Sequence, residues 1–175
     1  VPHAKSAVEE KELIIHTAAA KKDNIELVAA KELGIKTLSR KEALTLMLND
    51  KKVYSVCGAH GKSTTTAILA SILNESSAII GAESKEFKSN VRFSSKTLVV
   101  FEADESDSSF LNSNPYCAIL TNAEPEHMEH YDYNLDRFHQ AYVEFLTKAK
   151  KRVLNAEDEF LSTLNIDATR LYPSK

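Results

Sequence analysis

Short apolar runs alternate with stretches of helical period along most of the chain. Glu12–His16 (ELIIH) reads as a buried strand. Asn24–Leu33 places Ile25, Val28, Ala29 and Leu33 near helical spacing, and Gly34 follows as the stop. Ile35–Leu38 reads as a short strand, after which Ser39 is the N-cap of a helix over Arg40–Leu48. A second series begins at Lys52. Strands are predicted at Val53–Cys57, Ala78–Ile80, Thr97–Phe101, Tyr116–Thr121 and Arg152–Leu154. Helices are predicted at Lys62–Leu73, Leu135–Lys150 and Glu157–Leu164; the middle one carries Phe138, Tyr142, Phe145 and Leu146 on one face.

Strands that alternate with helices of roughly 10–15 residues predict an α/β fold, a mainly parallel sheet with flanking helices. Asn49-Asp50-Lys51-Lys52 is a polar break between the two series. It predicts a domain boundary, with 1–49 and 50–175 as the two parts. Glu83–Ser95 is polar and aperiodic, and is expected to be a long loop.

Composition narrows the picture without deciding it. The chain has 175 residues, 43% of them hydrophobic and 27% charged, enough apolar material for a core. A net charge of -3 and no dense basic block argue against a nucleic-acid partner. No apolar run approaches the roughly 20 residues of a membrane span. Two cysteines, Cys57 and Cys117, form no metal framework, and a reduced, cytoplasmic setting fits them. The start at Val1 has neither an initiator Met nor a signal-peptide pattern, so a missing preceding segment is expected.

Three segments carry candidate chemistry. The first is Gly58-Ala59-His60-Gly61-Lys62-Ser63-Thr64, between a strand and a helix. Its glycines let backbone N–H groups turn inward around phosphate oxygens, and the helix N-terminus adds partial positive charge. Lys62 would supply a full charge and the Ser63 hydroxyl a Mg²⁺ contact. The common P-loop pattern needs a glycine where Val56 stands, so a packing turn with a surface lysine is the other reading. The second is Glu102-Ala103-Asp104-Glu105-Ser106-Asp107, at the end of a predicted strand. Four neighbouring carboxylates at the C-terminal edge of a parallel sheet are either a cation site or a solvated acidic turn. The third is Asn122–His130. His127 there could bind a metal, move a proton or hold a substrate oxygen, or could simply be exposed. Zinc held by Glu126, His127 and His130 lacks a completing cluster.

The order GAHGKSTTT, VFEADESDSSFL, TNAEPEHMEHY resembles the Mur ligases, and HTAAAKKDNIELVAAKELGIKTLSRKEAL is similar to the end of that family's N-terminal domain. The resemblance implies a P-loop-type central domain, incomplete here, preceded by the end of a Rossmann-like, UDP-substrate-binding domain. EADESDSSF is most similar to the alanine-adding branch. Several Mur ligases carry a carbamylated lysine at the position of Tyr142, which agrees with that branch. The resemblance implies ATP and Mg²⁺, with UDP-N-acetylmuramate and L-alanine as substrates, amide formation through an acyl phosphate, and an inactive isolated fragment. It assigns catalysis to Lys62, Glu102 and His127, and metal binding to Ser63, Glu102 and His127. The nucleotide falls to Gly58–Thr64, with Asp104, Ser106 and Asn122 positioning substrate. A murein-peptide ligase, a folylpolyglutamate-synthetase-like ligase and a non-ligase P-loop NTPase remain as alternatives.

Overall fold

The computed structural model describes residues 3–17, 19–105 and 109–174. It divides into two units, Val1–Met47 and Leu48–Lys175.

In the first unit, strand β1 (Leu13–His16) pairs in parallel with β2 (Lys36–Ser39), with helix α1 (Ile25–Glu32) between them. Asn24 caps α1, its side chain accepting from the backbone N–H groups of Glu26 and Leu27. Gly34, at φ +70°, ends it, since the left-handed region costs glycine no Cβ clash. Helix α2 (Arg40–Leu48) opens on a reciprocal cap: Ser39 N–H donates to Glu42, and Glu42 N–H donates back to Ser39 Oγ. The expectation of a buried first strand is corrected here. Leu13 and Ile15 are 43% and 52% exposed, because a two-stranded sheet has too few neighbours to cover both faces.

The second unit is built on a seven-stranded sheet. Its strands are β3 (Lys52–Cys57), β4 (Ser77–Ser84), β5 (Ser89–Arg92), β6 (Leu98–Glu102), β7 (Pro115–Leu120), β8 (Lys151–Asn155) and β9 (Thr169–Leu171). The spatial order is β5-β4-β6-β3-β7-β8-β9. All pairs are parallel except β4 with β5. The central strands read as near-continuous apolar runs, as expected for strands covered on both faces. Val53, Val56, Cys57, Val100, Phe101, Ala118 and Leu120 are accordingly buried.

Helix α3 (Lys62–Ile72) follows β3 and lays Thr66 and Ala70 inward, where small side chains let it approach the sheet. Ala70 packs with Ala78 and Val100, bordered by Leu69, Leu73 and Phe87. Helix α4 (Leu135–Lys148) buries Phe138, Ala141, Tyr142, Phe145 and Leu146, an i, i+3, i+4, i+7, i+8 stripe. Phe110 and Tyr131 close around it, with ring centroids 4.9–5.7 Å apart in the contacts among Phe110, Tyr131, Phe138, Tyr142 and Phe145. Helix α5 (Glu159–Thr163) precedes β9 and is capped by Asp158.

Two further expectations change. Glu83–Ser95 is not a long loop: it holds the end of β4 and all of β5, an antiparallel edge pair. Tertiary contacts hold it in place, since the Arg92 guanidinium donates to the carbonyls of Ala70, Leu73 and Ser76 at the C-terminal end of α3. Strand β9 has no counterpart in the sequence reading, because Thr169–Leu171 is too short to show a period.

Candidate functional site

Strand β3 is the centre of the sheet. The chain leaves it toward β4 on one side, returns through β6, and crosses to β7 on the other. Reversal of this kind opens a crevice at the C-terminal strand ends, where α/β sheets bind ligands. The ladder runs on beyond the strands: Ala103 N–H donates to Val56 O at 2.8 Å and Thr121 N–H to Cys57 O at 3.0 Å. The phosphate-loop, acidic and histidine segments therefore start flush at one edge of the sheet.

Residues 58–61 form the turn between β3 and α3. Gly58 has φ +138°, and a Cβ there would lie 2.2 Å from Thr121 Oγ1 and 2.8 Å from Asn122 O. Close approach of the β7 loop thus requires glycine. Gly61, at φ +79°, caps α3 in the left-handed region with open space around it. The loop is clasped from β7. His60 N–H donates to Asn122 Oδ1 at 3.0 Å, Asn122 Nδ2 donates to His60 O at 3.0 Å, and Thr121 Oγ1 donates to the same carbonyl at 2.7 Å. Asn122 is thus engaged with the 58–61 turn itself. The exposed His60 ring lies between Glu124 (3.5 Å) and Glu126 (3.4 Å).

Lys62 turns back onto the loop. Its ammonium donates to Gly58 O (2.6 Å), Ala59 O (3.1 Å) and Glu105 Oε1 (2.9 Å). Glu105 is 1% exposed and Lys62 17%. The other carboxylate oxygen of Glu105 faces the Cys57 thiol at 3.8 Å, and its carbonyl accepts from Tyr131 O–H at 2.7 Å. Burial pushes the Cys57 thiol well above its ordinary range, and the Glu105 charge adds to the effect. Burial likewise raises the phenol of Tyr142, whose oxygen has no hydrogen-bond partner among the described residues. In the sequence reading Glu105 was only one of four carboxylates. Nothing in the sequence shows it to be buried.

Ser63 and Glu102 meet across the crevice, Ser63 Oγ donating to Glu102 Oε1 at 2.9 Å. Gly81 N–H donates to Glu102 Oε2 at 2.6 Å, and a Cβ on Gly81 would lie 2.6 Å from Oε1. The sequence signal for Gly81 is its place at the end of the apolar run 78–80, where glycine marks close backbone approach. A cleft of about 540 Å³ opens beside this pair, lined by Ser63, Thr64, Ile68, Ile80, Glu83 and Lys85 among others. Among the described residues no three His, Cys, Asp or Glu side chains converge to hold a metal. A hydroxyl and one carboxylate are nevertheless a fitting donor set for Mg²⁺, which keeps several waters and takes its other oxygens from phosphate.

His127 heads the short 3₁₀ turn Met128–Tyr131 with φ +51°, and its Nδ1 lies 3.7 Å from Glu129. It shares the C-terminal edge of the sheet with the other two segments and is half exposed. Asp104 follows Glu102 in the loop after β6, its carbonyl accepting from Phe110 N–H. Ser106 lies outside the described residues.

Residues 56–172 match the model of the Mur ligase middle domain, and residues 1–52 match that of the Mur ligase family, catalytic domain. The chain belongs to the Mur ligase family. It is 62% identical over 173 residues to the UDP-N-acetylmuramate–L-alanine ligase of Campylobacter curvus (strain 525.92), covering 99% of this chain and 40% of the relative. The enzyme of that name from Helicobacter pylori (strain P12) is 58% identical over 168 residues, covering 96% of this chain and 37% of the relative. The chain therefore spans about two-fifths of the length of these family members. The crystal structure of UDP-N-acetylmuramate-alanine ligase from Thermotoga maritima superposes with a TM-score of 0.85 at 29% identity, covering 98% of this chain and 41% of that one. The UDP-N-acetylmuramate:L-alanyl-gamma-D-glutamyl-meso-diaminopimelate ligase from Neisseria meningitides gives a TM-score of 0.81 over 96% of this chain and 61% of that one. At 21% identity this second likeness speaks for the fold alone.

Proposed function

We propose that this chain is the nucleotide-binding part of an ATP-dependent ligase that joins L-alanine to UDP-N-acetylmuramate, acting in the cytoplasm in peptidoglycan synthesis. The observation that carries the reading is the 62% identity to the Campylobacter curvus ligase over 99% of this chain. On this reading residues 1–49 belong to the UDP-substrate domain and 50–175 to the ATP-binding domain.

On this reading the events run as follows. Backbone N–H groups of Gly58–Thr64, other than that of His60, which Asn122 holds, would bind the ATP phosphates together with the N-terminus of α3. Ser63 and Glu102 would hold Mg²⁺, which when bound would neutralise phosphate charge. His127 is the candidate for a second ion near the reacting carboxylate, and Asp104 and Ser106 are candidates for orienting substrate. A lactyl carboxylate oxygen attacks the γ-phosphorus, and ADP leaves. The alanine amine then attacks the acyl carbon, the C–O bond to phosphate breaks, and the amine gives up a proton. Lys62 carries a positive charge beside the loop, so its contribution to the transferring phosphoryl group would be electrostatic. Asn122 and Thr121 keep the loop in its phosphate-ready shape by holding His60.

A chimera tests this. The matching segment of the Campylobacter curvus enzyme is replaced by this chain, and phosphate release is followed with Mg-ATP, UDP-N-acetylmuramate and L-alanine. Release that needs both substrates, and that Glu102→Gln removes, is the expected result. Release that proceeds without either substrate would favour a non-ligase NTPase and overturn the reading.

A further inference from the structure

The Lys62 ammonium has three N–H donors, and all three are in use, on Gly58 O, Ala59 O and Glu105 Oε1. A phosphate can reach this ammonium only by replacing one of those acceptors. The three are not equivalent. The two loop carbonyls are neutral, and losing a donor costs each of them comparatively little. Glu105 is 1% exposed, and the only other hydrogen-bond partner of its carboxylate among the described residues is the weak Cys57 thiol at 3.8 Å. Withdrawing the lysine would strand a buried charge, which is far more costly.

The carboxylate is also fixed from behind. Tyr131 O–H donates to the Glu105 carbonyl, and the Tyr131 ring meets Phe138 edge-on at 5.2 Å in the core. Glu105 is thus tied to the phosphate loop through Lys62 and Cys57, and to the histidine segment through Tyr131. Its place is set by the core and not by ligand.

We infer that Glu105 is the positioning residue for Lys62, keeping hold of the ammonium while a nucleotide phosphate displaces the Gly58 and Ala59 carbonyls. This rests on the nucleotide-site reading above. Glu105 itself touches no nucleotide. It restricts the long lysine side chain to the few rotamers that end at the loop mouth, which lowers the cost of ordering it on binding. If Lys62 instead left Glu105 to meet the phosphate, the carboxylate would be a competitor, and removing its charge would tighten binding.

Mg-ATP affinity of the chain, measured by calorimetry for wild type and Glu105→Gln, separates these cases. The variant is expected to bind about tenfold more weakly, the scale of one charge-assisted hydrogen bond. Equal or tighter binding overturns the inference while leaving the nucleotide site intact. A wild type that binds no Mg-ATP removes the nucleotide-site reading itself, and the inference with it. Should Glu105→Gln not fold, the wild-type protein decides through NMR of the Lys62 ammonium. Protons that stay protected from exchange at saturating Mg-ATP, with a coupling contact to the Glu105 side chain, support the inference. Loss of that contact on nucleotide addition overturns it.

Discussion

Lys62→Met should destabilise the folded protein, and not only its ligand binding. The methionine keeps most of the apolar stem and removes the ammonium. Glu105, 1% exposed, is then left with the Cys57 thiol as its sole side-chain partner among the described residues. Breaking a buried ion pair from one side costs about 3–5 kcal/mol. Lys62 is itself 17% exposed, so part of the charge is screened by water and the lower end applies, about 3 kcal/mol. For a chain of this length that corresponds to a fall in Tm of roughly 6–12 °C. Urea unfolding gives the stability change from the midpoint at constant slope. The informative comparison is a cycle of Lys62→Met, Glu105→Gln and the double variant. Replacing both charges removes the stranded carboxylate, so the double variant should be more stable than Lys62→Met alone, with a coupling of about 2 kcal/mol. A Lys62→Met cost below about 1 kcal/mol, the range of exposed pairs, would refute the reasoning. So would strict additivity of the two changes.

Other outcomes follow from the same geometry. Gly58→Ala should lower stability by more than about 2 kcal/mol, because its Cβ meets Thr121 Oγ1 and the Asn122 backbone, while Gly61→Ala should cost only the roughly 1–2 kcal/mol of a left-handed residue; urea midpoints of the two variants provide the check. Gly81→Ala should push the Glu102 carboxylate aside and raise the Mg²⁺ concentration needed for nucleotide binding, with little change in urea midpoint; an unchanged Mg²⁺ requirement would show that Glu102 is not held by this contact. Burial raises both thiols, so Cys57 and Cys117 should resist iodoacetamide at pH 8 in the native protein and react once it is unfolded, as mass spectrometry would show. Burial against Phe160, with ring centroids 3.7 Å apart, lowers His139 below its ordinary 6.5. The unfolded chain then binds the proton first, so the contribution of the neutral ring is present above about pH 6.5 and is lost as pH falls below it; His139→Phe should flatten that part of the stability profile.

The α/β class, most strand and helix positions, and the three loop segments are legible in the chain's own pattern. These are local properties: an apolar run, a helical period, a capping residue or a glycine before Lys62 has its meaning within a few residues of chain. The sheet order was not local. That β6 lies between β3 and β4, and β7 on the other side of β3, depends on which faces pack together, and this order brings Ser63 to Glu102 and His60 to Asn122. Burial was equally hidden. Leu13 and Ile15 look like core and are exposed, while Glu105 looks like a solvated carboxylate and is buried against Lys62. The Ser84–Ser89 hairpin pair was missed because its support comes from Arg92 on the end of α3, not from its own pattern. Periodicity records which side of an element is apolar; only the packed sheet decides what covers that side, and therefore which charges must find a partner.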